Sequence, residues 1–290
     1  MEKLFLMDGS PSWPGVLNYF NTERTKFEEY FSRARKSLDI EGIHEYRLCL
    51  KRIRALFHLI EYVTNSEFEA EVEFLTLRKV FKAGALLRDT HVHLEIIGDF
   101  EKEPGPSFDK VTEYLQMDEI SAERRFLRKT RLPLKKEFHR LEKLLKKRLK
   151  HISDKQFNGL AYGWVVSELD YLGEIHEFIY DPQVFHRFRR HQKETFYMID
   201  FINGFTTGKV EIKGSLQSLK DIAKKIGVWH DYHLLLLRIR LIRLFRGDKR
   251  LKIYKECLVL EEQLQNGKDI LFDELTEALK DTRLFRLRKP

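Results

Sequence analysis

One fixed register joins two distant parts of this 290-residue chain, and it constrains the fold more than any other feature. His44, Arg47 and Lys51 recur as His186, Arg189 and Lys193, each 142 residues later. The same offset carries Lys82 to Lys224, Asp89 to Asp231 and His91 to His233, with Arg78 and Arg88 falling on Lys220 and His230. Around the second group, Ala85-Leu-Leu-Arg-Asp-Thr-His aligns with Gly227-Val-Trp-His-Asp-Tyr-His. Two separated motifs sharing one register imply two copies of one structural unit, divided here as residues 1–151 and 152–290.

The first copy's motif, Ile43 to Arg54, reads as a helix. At about 100° per residue His44, Arg47, Lys51 and Arg54 fall within roughly one quadrant. A solvated face would intersperse carboxylates and a core face would be apolar. A stripe of cations therefore predicts an anion lying along it.

Apolar spacing elsewhere is helical almost throughout. Helices are expected over about 14–38, 43–63, 67–98 and 108–151, the last kinked at Pro133. In the second copy they are expected over about 154–180, from Pro182 to about Asn203, and over about 215–246 and 249–281. Pro182 suits a helix start, and Gly98 to Ser107, with Pro104, Gly105 and Pro106, is a break. Thr206 to Lys213, where Val210 and Ile212 alternate with charges, is the single candidate for a short hairpin, and the tail from Thr282 reads as frayed. The fold class expected is all-α: eight helices in two bundles of four, related by a pseudo-twofold repeat.

With those motifs in hand, the chain resembles the CHAD domain, the conserved histidine α-helical domain. The His-x-x-Arg-x-x-x-Lys-Arg-x-Arg helix and the Arg-Asp helix about forty residues on resemble its first half. His186, Arg189, Lys193 and Tyr197, with Gly227 before His230-Asp231, resemble the second. Phe196 stands where the second copy usually carries another Arg, and His91 and His233 stand where the family often has a second acid. The resemblance implies two four-helix bundles around a basic pore, and binding of inorganic polyphosphate, in solution or in granules, without catalysis.

The residues expected to grip the polymer are His44, Arg47, Lys51, Arg52, Arg54, Arg78, Lys82 and Arg88 from the first copy. The second copy offers His186, Arg189, Arg190, Lys193, Lys220, Lys224 and His230. Phosphate chains are dense arrays of acceptor oxygens, which Arg and Lys meet with charge-assisted hydrogen bonds. His44 and His186 either brace their helices or, protonated in the polyanion's field, add donors. Asp89 and Asp231, which would repel the ligand, are expected to orient neighbouring cations instead.

Composition narrows the alternatives. The net charge of +8 is uneven: residues 124–150 hold 13 Lys and Arg against Glu137 and Glu142, leaving the remainder at −3. That run, amphipathic through Leu127, Leu134, Phe138, Leu141 and Leu145, is either a solvated face or a footprint for nucleic acid or polyphosphate. Nucleic acid is thus the alternative partner, though aromatics for base stacking are sparse there. His91-x-His93 and His230-Asp231-x-His233 carry metal-ligating residue types, and His-Asp pairs occur in phosphoester hydrolases. Such sites need several converging carboxylates or histidines, and each copy supplies one Asp amid cations. Phosphotransfer through a phosphorylated His44 is a further enzymatic reading. No Gly-rich phosphate loop or nucleophile elbow is visible, so no enzyme activity, metal or cofactor is expected. Cys49 and Cys257 are isolated. No apolar run reaches the ~18 residues of a membrane span, and no signal peptide is evident. A cytoplasmic protein with no membrane partner is expected.

Overall fold

In the computed structural model the described residues are 13–102, 105, 107–179, 182–205, 210–212, 216–246 and 248–287. They fold into helices: α1 (Trp13–Ser37), α2 (Ile40–Val63), α3 (Ala70–Glu73), α4 (Leu75–Ala83), α5 (Ala85–Phe100), α6 (Asp109–Lys129), α7 (Leu134–Leu149), α8 (Asp154–Ile175), α9 (Pro182–Phe205), α10 (Leu216–Arg246) and α11 (Lys252–Leu279). Short 3-10 turns follow α8 and α11. The all-α expectation holds. Among the described residues no strand forms; Ile212 makes one isolated antiparallel bridge to Leu287, and most of the expected hairpin lies outside the described residues.

Two expected helices are broken. The 67–98 segment divides at Phe74 and Gly84 into α3, α4 and α5. Phe74 turns inward and is buried, so packing outweighs local helical preference there. The 108–151 segment stops at Thr130, whose hydroxyl donates to the Phe126 carbonyl at 2.8 Å, and resumes after Pro133. Proline cannot donate the backbone bond that a continuous helix requires.

Contacts divide the chain into two compact units, each taking segments from both sequence copies. The first comprises the chain up to Phe81, Arg131–Lys220 and the residues from Asp281; the second comprises Lys82–Thr130 and Asp221–Lys280. Within the first unit, α1 and α2 pack closely. Asp39 caps α2 by accepting from the Gly42 amide at 2.7 Å, satisfying one orphan donor. A Cβ at Gly42 would lie 2.9 Å from the Tyr30 carbonyl oxygen; only glycine permits this approach, which fixes the depth of α2. The core beside it is aromatic. Phe20, Phe27, Tyr46, Phe57 and Phe138 are fully buried, with Phe27 and Phe138 rings 5.2 Å apart. Each such ring contributes about 1.5–3 kcal/mol by burial.

The second unit packs Ile97, Phe108, Val111 and Leu115 against Leu235, Ile239, Ile242, Leu260 and Leu264. The N-terminus of α6 has no side-chain cap of its own. Instead buried Glu256, from α11, accepts from the Lys110 and Val111 amides at 2.9 and 3.0 Å, placing a carboxylate on the positive end of the helix dipole. Among the described residues no helix is long and apolar enough to cross a membrane.

Candidate polyanion site

The two copies of the cationic motif meet. Helices α2 and α9 pack against each other inside the first unit, and a cavity of about 120 Å³ lies along them. Lys51 and Arg54 enter it from α2, and His186, Arg189, Arg190 and Lys193 from α9. Leu50, Phe74, Phe81 and Tyr197 complete an apolar floor, and Glu194 is the single carboxylate in the wall. The α9 residues follow i, i+3, i+4 and i+7 spacing, which keeps them on one face over about 10 Å.

A charge network supports this wall. Glu71 accepts from Arg54 Nη2 at 2.6 Å and pairs with Arg78. His58 lies between two carboxylates, with Nε2 3.3 Å from Glu71 and Nδ1 3.2 Å from Glu194. Each ring nitrogen thus faces one carboxylate oxygen. Glu194 is only 8% exposed. Burial alone would raise its pKa, but the hydrogen bond and charge of His58, with Arg54 and His191, outweigh it and hold the carboxyl below its ordinary range. Its neighbour His191 pairs with Glu168 at 2.7 Å. On the floor, burial pushes the Tyr197 phenol up to about 12 against the opposing charges of Arg52 and Arg189, so it remains a hydrogen-bond donor at neutral pH. Burial and then Arg189 depress His186, which is therefore neutral near pH 7.

Other expected residues stand elsewhere. Arg47 donates to the Phe81 carbonyl and stacks 4.2 Å over the Phe81 ring, so it braces the segment that forms the floor. Arg52 turns toward α1, 3.3 Å from buried Glu23. His44 is exposed, with Nε2 3.8 Å from Glu45. Lys220 lies 3.4 Å from Asp200. Lys82, Arg88, Lys224 and His230 belong to the second unit, where Arg88 and Asp231 line a separate cavity with Glu95 and Asp99.

His91 pairs with Glu119 at 2.8 Å, while burial and the charge of Arg238 push His93 down to about 4. The His233 ring stacks on Trp229 at 5.4 Å. Among the described residues no group of three or more His, Cys, Asp or Glu is arranged to hold a metal ion.

Glu71, Glu194 and His58 were not among the expected site residues. His58 had a signal: it continues the α2 stripe one turn past Arg54 at i+4. Glu194 follows Lys193 directly, and Glu71 comes from a different helix, so neither lies in the repeated pattern.

A family model decides the assignment: that of the CHAD domain matches residues 19–240, which include the whole cavity wall. The chain belongs to the CHAD family. Among solved structures, the CHAD domain from the plant Ricinus communis is similar, with 13% identity and a TM-score of 0.73, over 99% of this chain and 98% of that one. PptA from Streptomyces chartreusis matches with 13% identity and a TM-score of 0.68, over 94% of this chain and 100% of that one. At such identities the likeness concerns the CHAD fold alone. No curated protein matches this CHAD sequence.

Proposed function

We propose that this CHAD protein binds inorganic polyphosphate non-catalytically, gripping the chain along α9 and the facing turn of α2. One observation carries the reading: Lys51, Arg54, Arg189, Arg190 and Lys193 line a single cavity in which Glu194 is the lone carboxylate. Cations converging on one concave wall gain strength in its lowered dielectric, and charge-assisted bonds to phosphate contribute about 1.5–3 kcal/mol each. Tyr197 adds a neutral donor, and His186 gains a proton as the polyanion's field raises its pKa. Glu194, ionised and bonded to His58, is engaged in orienting cations rather than activating a water, which favours binding over cleavage.

The remaining cations of the repeated pattern, Lys82, Arg88, Lys220, Lys224 and His230, are proposed as further contacts for a long polymer. Binding of this kind would act in the cytoplasm and bring the protein to polyphosphate granules. The test compares Arg189→Ala with Lys146→Ala, which sits on the basic face of α7, in titrations with long-chain polyphosphate. Arg189→Ala is expected to weaken binding by about tenfold or more, with Lys146→Ala within about twofold. The reverse ranking would transfer the site to the 124–150 run and favour general attraction of polyanions, nucleic acid included.

A further inference from the structure

Helix α10 is apolar on two opposite faces. One packs Leu235, Ile239 and Ile242 into the core of the second unit. The other presents Leu237 (44% exposed), Leu241 (48%), Leu244 (75%) and Phe245 (79%) to solvent, with Leu234 half-buried in the same line. The usual surface helix has one apolar stripe, facing its own core, so a second stripe calls for a partner. Leu234, Leu237, Leu241 and Leu244 have the alternating three and four spacing of a heptad seam, the pattern that fits one helix against another.

We propose that this seam is a self-association surface, on which α10 of a second copy of the chain packs antiparallel about a twofold axis near Ile239. The positions are symmetric about that residue. Leu234 meets Leu244 of the second copy and Leu237 meets its Leu241, giving four leucine layers over about 15 Å.

Charge selects this occupant over an anionic one. The arginines flanking the seam are largely engaged within their own chain: Arg238 pairs with Asp118, and Arg240 and Arg243 share Glu261. Two of these three charges are thus offset before any partner arrives, which weakens the draw on a membrane or an acidic helix. Antiparallel packing also keeps the basic end of α10, with Arg243 and Arg246, away from its own counterpart.

Area agrees. The exposed side chains of the seam, Phe245 included, offer about 400 Å² of apolar surface, judged from the usual areas of such side chains. One side of a standard interface buries roughly 800 Å², a little over half of it apolar. A pair of cavities carried by one dimer would bind a long polyphosphate with avidity that a monomer lacks.

Sedimentation equilibrium of the full chain without polyphosphate, from about 1 to 100 µM, tests the proposal independently of the ligand reading. The wild type is expected at twice the mass of one chain. Leu237→Glu/Leu241→Glu is expected at the mass of one chain with unchanged helical circular dichroism, since both sites are half-exposed. For the orientation, Leu237→Cys chains mixed with Leu241→Cys chains should cross-link to each other under mild oxidation and not to themselves. Native Cys49 and Cys257, both buried, should stay out of the reaction. A wild type that remains monomeric at about 100 µM overturns the dimer, whether or not it sediments with phosphatidylserine vesicles. Cross-links only between identical variants overturn the antiparallel arrangement.

Discussion

Helices α2 and α9 carry the same motif at the same spacing, yet they use it differently. On α2, Arg47 is turned to the Phe81 carbonyl, Arg52 to Glu23 and Arg54 to Glu71, and Lys51 and Arg54 alone reach the cavity wall. On α9, His186, Arg189, Arg190 and Lys193 all line it. The difference follows from burial. Helix α2 is enclosed by α1, α3, α8 and α9, so its cations need protein acceptors to offset desolvation. Helix α9 keeps more of its cations at a concave surface. The same spacing of cations thus serves mainly as a frame on α2 and lines a cavity on α9.

The largest expected effect breaks this contrast directly. Arg189→Ala/Lys193→Ala should lower polyphosphate affinity by about 100-fold with little change in thermal stability, measured by titration and by melting. Arg47→Ala/Arg52→Ala should do the opposite, costing about 2–3 kcal/mol of folding stability, because it leaves buried Glu23 with Lys26 alone, 3.5 Å away, and unbraces Phe81. Its effect on affinity should stay within about tenfold.

Next in size is Glu194→Gln, which strips the carboxylate that Arg54 and His58 share and should lower stability at pH 7 by about 3 kcal/mol. Its pH dependence has a defined sign. The folded pKa of Glu194 lies below its ordinary value of 4.5, so its contribution is present above that value and lost as pH falls through the folded pKa. Urea melts between about pH 7 and pH 3 should show a smaller acid loss in the variant than in the wild type.

The smallest effect concerns His186, whose pKa is depressed by burial and Arg189 in the free protein. A bound polyanion raises it, so polyphosphate affinity should increase by a few-fold as pH falls from about 7.5 to about 5.5. His186→Ala should flatten that profile.

Much of this was legible in the residues. The 142-residue register singled out α2 and α9, which pack against each other, and apolar periodicity gave α1, α8 and α10 closely. The division of 67–98 was hidden because Phe74 leaves the helix to be buried, and the break at Gly84 comes from a glycine without a proline to announce it. The stripe angles predicted an anion along α2 but not that Arg47 and Arg52 would turn to protein acceptors. Which way an arginine turns depends on Glu23 and the Phe81 carbonyl, groups supplied by other helices. The acids at Glu71 and Glu194 were invisible for the same reason: the repeat contains cations, and their counter-charges lie outside it.

The central claim is that the cavity along α2 and α9 selects a phosphate chain and leaves it intact. Titration of the protein with long-chain polyphosphate at about 150 mM salt, with excess duplex DNA and RNA as competitors and released phosphate followed in parallel, addresses it most directly. The account predicts tight binding that neither nucleic acid displaces, with no phosphate released. Equal affinity for all three polymers, or steady phosphate release, would contradict it.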